Sequence, residues 1–188
     1  MTIYAHHALD GKAITLNKVF PLTIRLLADK ARFSLRSDPD QRDAASAVLG
    51  LNLPGKIGGV ASAGEKMAVC LGPDEWYVMA PAADKLAIES GFAALYAREP
   101  HSLVDISHRE VSIEIEGQDA ALALQSAIAF DVDAMAPGSG CRTIFDGKAQ
   151  IILLRDAKDR FQIEVWHSFS EHVWQLLQIV AREIELDI

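Results

Sequence analysis

Two stretches of this 188-residue chain read alike, and that internal match restricts the architecture more than any other feature. Phe33-Ser34-Leu35-Arg36, a helix-like run from Asp38 to Leu49 and then Gly50-Leu51-Asn52-Leu53 parallel Val111-Ser112-Ile113-Glu114, the run Gln118 to Ile128 and Phe130-Asp131-Val132. Farther along, Ala68 to Leu71, a turn, Trp76-Tyr77-Val78 and the segment Pro81 to Ala97 recur as Ile151 to Leu154, a turn, Phe161-Gln162-Ile163 and Ser168 to Glu183. A unit of this length hides its apolar faces poorly alone, so the two copies are expected to pack into one pseudo-symmetric domain.

The first copy opens with candidate strands at Leu22 to Leu27 and Ala31 to Arg36. Asp38-Pro39 then starts a helix, the carboxylate accepting orphan N–H groups and the proline lacking a donor where none is needed. Gly50 is placed to end that helix. Leu51 to Gly64 reads as an irregular connection, and Gly72-Pro73-Asp74 joins the hairpin arms Met67 to Leu71 and Glu75 to Ala80. The next helix is expected to bury Ile88, Phe92, Leu95 and Tyr96, and Pro100 prevents its continuation.

In the second copy Val111, Ile113 and Ile115 alternate with Ser112, Glu114 and Glu116, the pattern of a strand with one packed and one wet face. Ala120 to Ala129 is apolar almost all round and is expected to be sandwiched. Asp133 to Gly140 is a second Pro/Gly loop, followed by hairpin arms Ala149 to Arg155 and Arg160 to Trp166. In the last helix Ser168 and Glu171 form a capping box, with Val173, Leu176, Leu177, Val180 and Ile184 as the core stripe. Each half reads strand, strand, helix, hairpin, helix, so the class is α+β with antiparallel pairing. Residues 1–20 have no sustained period and are read as an arm; 21–188 form one domain of two repeats, about 21–100 and 101–188.

Half the residues are hydrophobic, 23% are charged and the formal net charge is -8. That balance, without a sustained Lys/Arg cluster, argues against nucleic-acid and anionic-membrane partners. No apolar run is long enough to span a bilayer and no basic-then-apolar leader opens the chain, which therefore reads as cytoplasmic. Cys70 and Cys141 fit no paired motif and are expected to be structural thiols.

Chemistry-bearing residues concentrate in Val104-Asp105-Ile106-Ser107-His108-Arg109. On a strand Ser107 and His108 point to opposite faces, and no nucleophile-elbow glycines surround Ser107, so a strand end with internal hydrogen bonds is preferred to a catalytic dyad. The six histidines lack the spacing of a metal site. Trp76 aligns with Phe161 and is expected in the core. Trp174 borders the last helix's stripe and is expected to be half buried. Trp166 lies on the other strand face, next to Glu164, where it either caps that side of the sheet or meets another subunit.

Leu71-Gly72-Pro73-Asp74-Glu75-Trp76, Val104 to Arg109, Ile163-Glu164-Val165-Trp166-His167-Ser168-Phe169 and Gly147-Lys148-Ala149, with the C-terminal helix around Val173-Trp174, resemble the gamma subunit family of heterotetrameric sarcosine oxidase over about residues 20–185. That family is similar to the N-terminal part of the folate-binding domain of the glycine-cleavage T-protein, an aminomethyltransferase, here through Asp105-Ile106-Ser107-His108 and Gly117-Gln118-Asp119-Ala120. The resemblance implies an accessory gamma subunit, with no catalytic residue of its own, in a complex that oxidises sarcosine with oxygen to glycine, hydrogen peroxide and a one-carbon unit. It implies alpha, beta and delta partner subunits, and FAD, FMN, NAD, tetrahydrofolate and zinc held outside this chain. Trp166, His108 and Arg109 are the candidate interface residues.

The sequence departs from the T-protein pattern at Ala149-Gln150-Ile151-Ile152-Leu153, where an acidic pair is expected and no carboxylate stands, so a retained scaffold with a lost activity is inferred. The alternative is a stand-alone tetrahydrofolate-binding or aminomethyltransferase-like protein, with Asp105 or Arg109 meeting the folate.

Overall fold

The computed structural model describes residues 9–16 and 21–188. In chain order they form β1 (Ala13–Leu16), β2 (Leu22–Leu26), β3 (Ala31–Ser37), α1 (Arg42–Leu49), β4 (Val60–Ala63), β5 (Lys66–Gly72), β6 (Glu75–Ala80), α2 (Lys85–Leu95), β7 (His101–Asp105), β8 (Glu110–Gly117), α3 (Ala120–Gln125), β9 (Ser139–Phe145), β10 (Ala149–Ala157), β11 (Arg160–Trp166) and α4 (His167–Leu186). The strands make two antiparallel sheets, and the chain divides into two bodies: residues up to 28 with 109–137 and 142–188, and residues 29–108 with 138–141.

The body centred on residues 29–108 has the strand order β4-β5-β6-β3-β7. Asp38 accepts the Asp40 N–H at 2.9 Å and opens a 3-10 turn over Pro39–Gln41 that runs into α1. Gly50 ends α1 with φ +64, the left-handed conformation glycine adopts without steric cost. Both helices lie against one face of the sheet, where Phe33, Leu35, Cys70, Trp76 and Val78 meet Ala45, Leu49, Ile88 and Phe92. Tyr96 does not join this core: α2 stops at Leu95, and the tyrosine just past its end is 57% exposed. β4 falls inside the stretch read as irregular and supplies an edge on β5.

The other body has the order β1-β2-β8-β11-β10-β9. Val111, Ile113, Ile115, Phe161 and Ile163 are buried, as are Leu177 and Val180 of α4. Four expectations are corrected here. The polar face of β8 is wet only at Glu116: Ser112 and Glu114 are buried, because Ser112 donates to Glu164 across the β8–β11 pair, Gln162 donates to the same carboxylate at 2.5 Å, and Glu114 pairs with Arg25 at 2.6 Å. α3 is not sandwiched; it ends after six residues, where Ser126 bonds back to the Leu122 carbonyl, and Leu122 is 54% exposed. Trp174 is fully buried rather than half buried. The capping box does not form, since β11 passes into α4 without a loop and Ser168 already lies inside the first turn. Within the stretch read as an arm, Ala13–Leu16 forms β1 on β2, while residues 1–8 and 17–20, His6 and His7 among them, lie outside the described residues.

Candidate functional site

The Val104–Arg109 segment is the end of β7 followed by a turn. Asp105 Oδ1 accepts from the Ser107 N–H at 3.0 Å and from its hydroxyl at 2.5 Å, and Ser107 Oγ in turn accepts from the Arg32 N–H at 3.0 Å. The other carboxylate oxygen meets Lys85 Nζ at 2.5 Å. Partial desolvation works to raise the Asp105 pKa, but the hydrogen bonds from Lys85 and Ser107 outweigh it and hold the carboxyl at about 2. The same bond raises Lys85, ahead of a smaller opposing desolvation. A carboxylate so far below neutrality neither gives nor takes a proton near pH 7, so Asp105 is an anchor for the turn and not a general base. No hydrogen bond joins Ser107 to His108 among the described residues, and His108 is exposed in the middle of the turn.

Arg109 and Trp166 are brought together in the body that holds β8 and β11. The register sets Trp166 opposite Glu110; Arg109 donates to Glu110 at 2.9 Å, and its guanidinium lies 4.9 Å from the Trp166 ring centroid. The Arg109 carbonyl accepts the His167 N–H at 2.7 Å, which fixes the strand-to-helix junction against the start of β8. Trp166 and Phe169 are each 37% exposed, and the Arg109 side chain is partly exposed above its buried partner Glu110. An exposed tryptophan under an arginine, with an equally exposed phenylalanine three residues on, presents large rigid groups that desolvate at low entropic cost, residue types enriched at protein interfaces.

Lys85 was not legible as a partner of Asp105, because the two lie 20 residues apart and neither motif contains the other. Phe169 sits inside the quoted Ile163–Phe169 motif, yet its exposure depends on the helix starting at His167. The Ala149–Leu153 stretch is the first part of β10; Ile151, Ile152 and Leu153 are buried and no acid stands among them.

Residues 35–183 match the model of the sarcosine oxidase gamma subunit family. The chain is 31% identical over 156 residues, 80% of its length and 75% of the other's, to sarcosine oxidase subunit gamma from an Arthrobacter species. It resembles a chain of the heterotetrameric sarcosine oxidase from Corynebacterium sp. U-96, solved in complex with pyrrole 2-carboxylate, with a TM-score of 0.80 and 25% identity over 88% of this chain and 86% of that one. The glycine cleavage system aminomethyltransferase T from Bartonella henselae shares the fold, with a TM-score of 0.64 at 15% identity over 82% of this chain and 44% of that one. The chain belongs to the sarcosine oxidase gamma subunit family.

Proposed function

We propose that this chain is the accessory gamma subunit of a heterotetrameric sarcosine oxidase, which demethylates sarcosine oxidatively to glycine, hydrogen peroxide and a one-carbon unit. The observation that carries the reading is the likeness to a chain of such an oxidase over 88% of this chain, an extent that takes in both bodies. Its partners are the alpha, beta and delta subunits, which hold FAD, FMN, NAD, tetrahydrofolate and zinc, and the assembly works in the cytoplasm. No helix among the described residues is long and apolar enough to cross a membrane. His108, Arg109 and Trp166 meet a partner subunit, a role supported by the exposed arginine–tryptophan pair.

The scaffold descends from a duplicated unit. Two features support this: the strand order β4-β5-β6-β3-β7 has its counterpart in β9-β10-β11-β8-β2, and the hairpins β5–β6 and β10–β11 each carry a bulge just before a two-residue turn. The fold shared with an aminomethyltransferase favours a second reading, a tetrahydrofolate-binding protein using Asp105 or Arg109. Co-expression of the tagged chain with the three other subunits separates the two. A yellow, flavin-bearing assembly is expected to co-purify, and titration of the isolated chain with millimolar tetrahydrofolate is expected to give no binding heat. A colourless monomer that binds the folate would reverse the conclusion.

A further inference from the structure

The two sheets differ at one edge. On β8 the next strand is β2, and β2 is covered in turn by β1, with Ile14 opposite Ile24 and Leu16 opposite Leu22. On β3 the next strand is β7, and among the described residues the sheet ends there. Because the Ile106 N–H donates to the Arg32 carbonyl, the alternation of an antiparallel ladder turns the backbone groups of Ser102 and Val104 towards β3 and those of His101, Leu103 and Asp105 outward. β7 has no proline and no bulge, and Val104 on it is 50% exposed, so the usual protections of an edge strand are sparse.

A groove of about 380 Å³ runs beside this edge, lined by Glu89, Phe92, Ala93 and Tyr96 of the α2 side and by His101, whose ring meets Phe92 and Tyr96 edge-on at 5.0 and 5.5 Å. In the sister body the corresponding space beside α4 is bordered by Ile14 and Leu16 of β1 itself. Among the described residues Glu89 is the one carboxylate or ammonium group lining the groove at β7, so a cationic visitor is favoured.

We propose that the outer edge of β7 takes an extended strand from a partner subunit of the oxidase complex. That strand would fill the place β1 fills on the sister sheet, with an apolar side chain in the groove beside α2 and a basic one facing Glu89. The inference rests on the gamma-subunit reading and adds to it where a partner docks and in what conformation.

Hydrogen exchange of the assembled complex against the free chain, with residue-resolved mass spectrometry, tests it. Exchange of the His101, Leu103 and Asp105 amides is expected to slow at least about ten-fold on assembly, with little change at Ser102 and Val104. Ala93→Lys, on the exposed side of α2, should leave the fold intact by circular dichroism and weaken association at least about ten-fold, by bulk and by repelling a basic strand. An assembled complex with unchanged β7 exchange, or full-strength association of Ala93→Lys, overturns the proposal. Protection that appears in the concentrated free chain overturns it too, assigning the edge to a second copy. If the chain joins no complex, the subunit reading itself fails, which co-purification reads separately.

Discussion

Each body pins the loop that follows its first helix, and the two do so with different chemistry. After α1, the connection to β4 is held by Trp76 of β6, whose indole Nε1 donates to the Pro54 carbonyl at 2.8 Å. After α3, the connection to β9 is held by Arg155 of β10, whose guanidinium donates to the carbonyls of Asp133 at 2.8 Å and Met135 at 2.5 Å and, from its other nitrogens, to Lys158 at 2.6 Å. In the hairpin registers Trp76 faces Cys70 and Phe161 faces Arg155. One residue, Trp76, supplies both the aromatic body and the donor in one hairpin. In the other the two parts are separated, Phe161 giving the ring and Arg155, stacked 5.0 Å from it, giving the donor from the neighbouring strand. Buried carbonyls need a partner, and the fold meets that need without keeping the residue that meets it.

Arg155→Met is expected to have the largest effect. The side chain is buried, and its loss strands several carbonyls that a thioether cannot serve, so about 3 kcal/mol of stability should vanish in urea titration. Arg155→Lys should recover part of it, a single ammonium reaching fewer of the carbonyls than the planar fork. Trp76→Phe keeps a ring and removes one donor, leaving the Pro54 carbonyl unpaired; about 1–2 kcal/mol is expected. A Trp76→Phe that costs more than Arg155→Met would break the comparison, for it would mean that the ring and not the donor pins the loop.

Much of this was legible in the sequence, and the misses have physical causes. The hairpins, the Asp38 and Gly50 caps and the core stripe of α4 follow from turn chemistry and periodicity, which are local. The hairpin registers pair Cys70 with Trp76 and Arg155 with Phe161, so Ala68 corresponds to Leu153, two residues beyond the match of Ala68–Leu71 with Ile151–Leu154. A shift of two keeps every side chain on the same face, so hydropathy alone does not detect it. The buried state of Ser112 and Glu114 was hidden because alternation reports which residues are polar and not whether they find partners on the next strand. The strands β4 and β9 were missed because the short Val60-Ala61-Ser62-Ala63 and the small or polar opening of β9, Ser139-Gly140-Cys141-Arg142, resemble loops until β5 and β10 pair with them. Of the site, the Arg109 and Trp166 positions were named from sequence, but their stacking required the β8–β11 register.

The helix ends give a smaller contrast. Gly50 has φ +64 with nothing within 4 Å of where a Cβ would stand, so Gly50→Ala carries only the backbone cost of a left-handed alanine, about 1 kcal/mol in denaturant titration. Ser126, which ends α3, is right-handed, and its hydroxyl bonds back to Leu122, so Ser126→Ala should change stability by less than about 0.5 kcal/mol. Equal costs at the two ends would show that the Ser126 hydroxyl terminates α3 as firmly as its glycine terminates α1.

The smallest effect separates the two kinds of clamp by pH. The Asp105 carboxyl sits at about 2 against an ordinary value of 3.8, so its pairing with Lys85 and Ser107 contributes fully above the ordinary value and fades as pH falls from about 4 towards 2. The stability difference between the native chain and Lys85→Met should therefore be constant from pH 7 to about 5 and shrink below it. The effect is modest because the pair is partly exposed and salt weakens it. Arg155 is bonded to backbone carbonyls, which do not titrate, so the cost of Arg155→Met should hold level across the same window. A Lys85→Met penalty that stays flat to pH 2 would mean the ammonium acts on a group other than the Asp105 carboxylate, and Asp105 would then owe its anchoring to Ser107 alone.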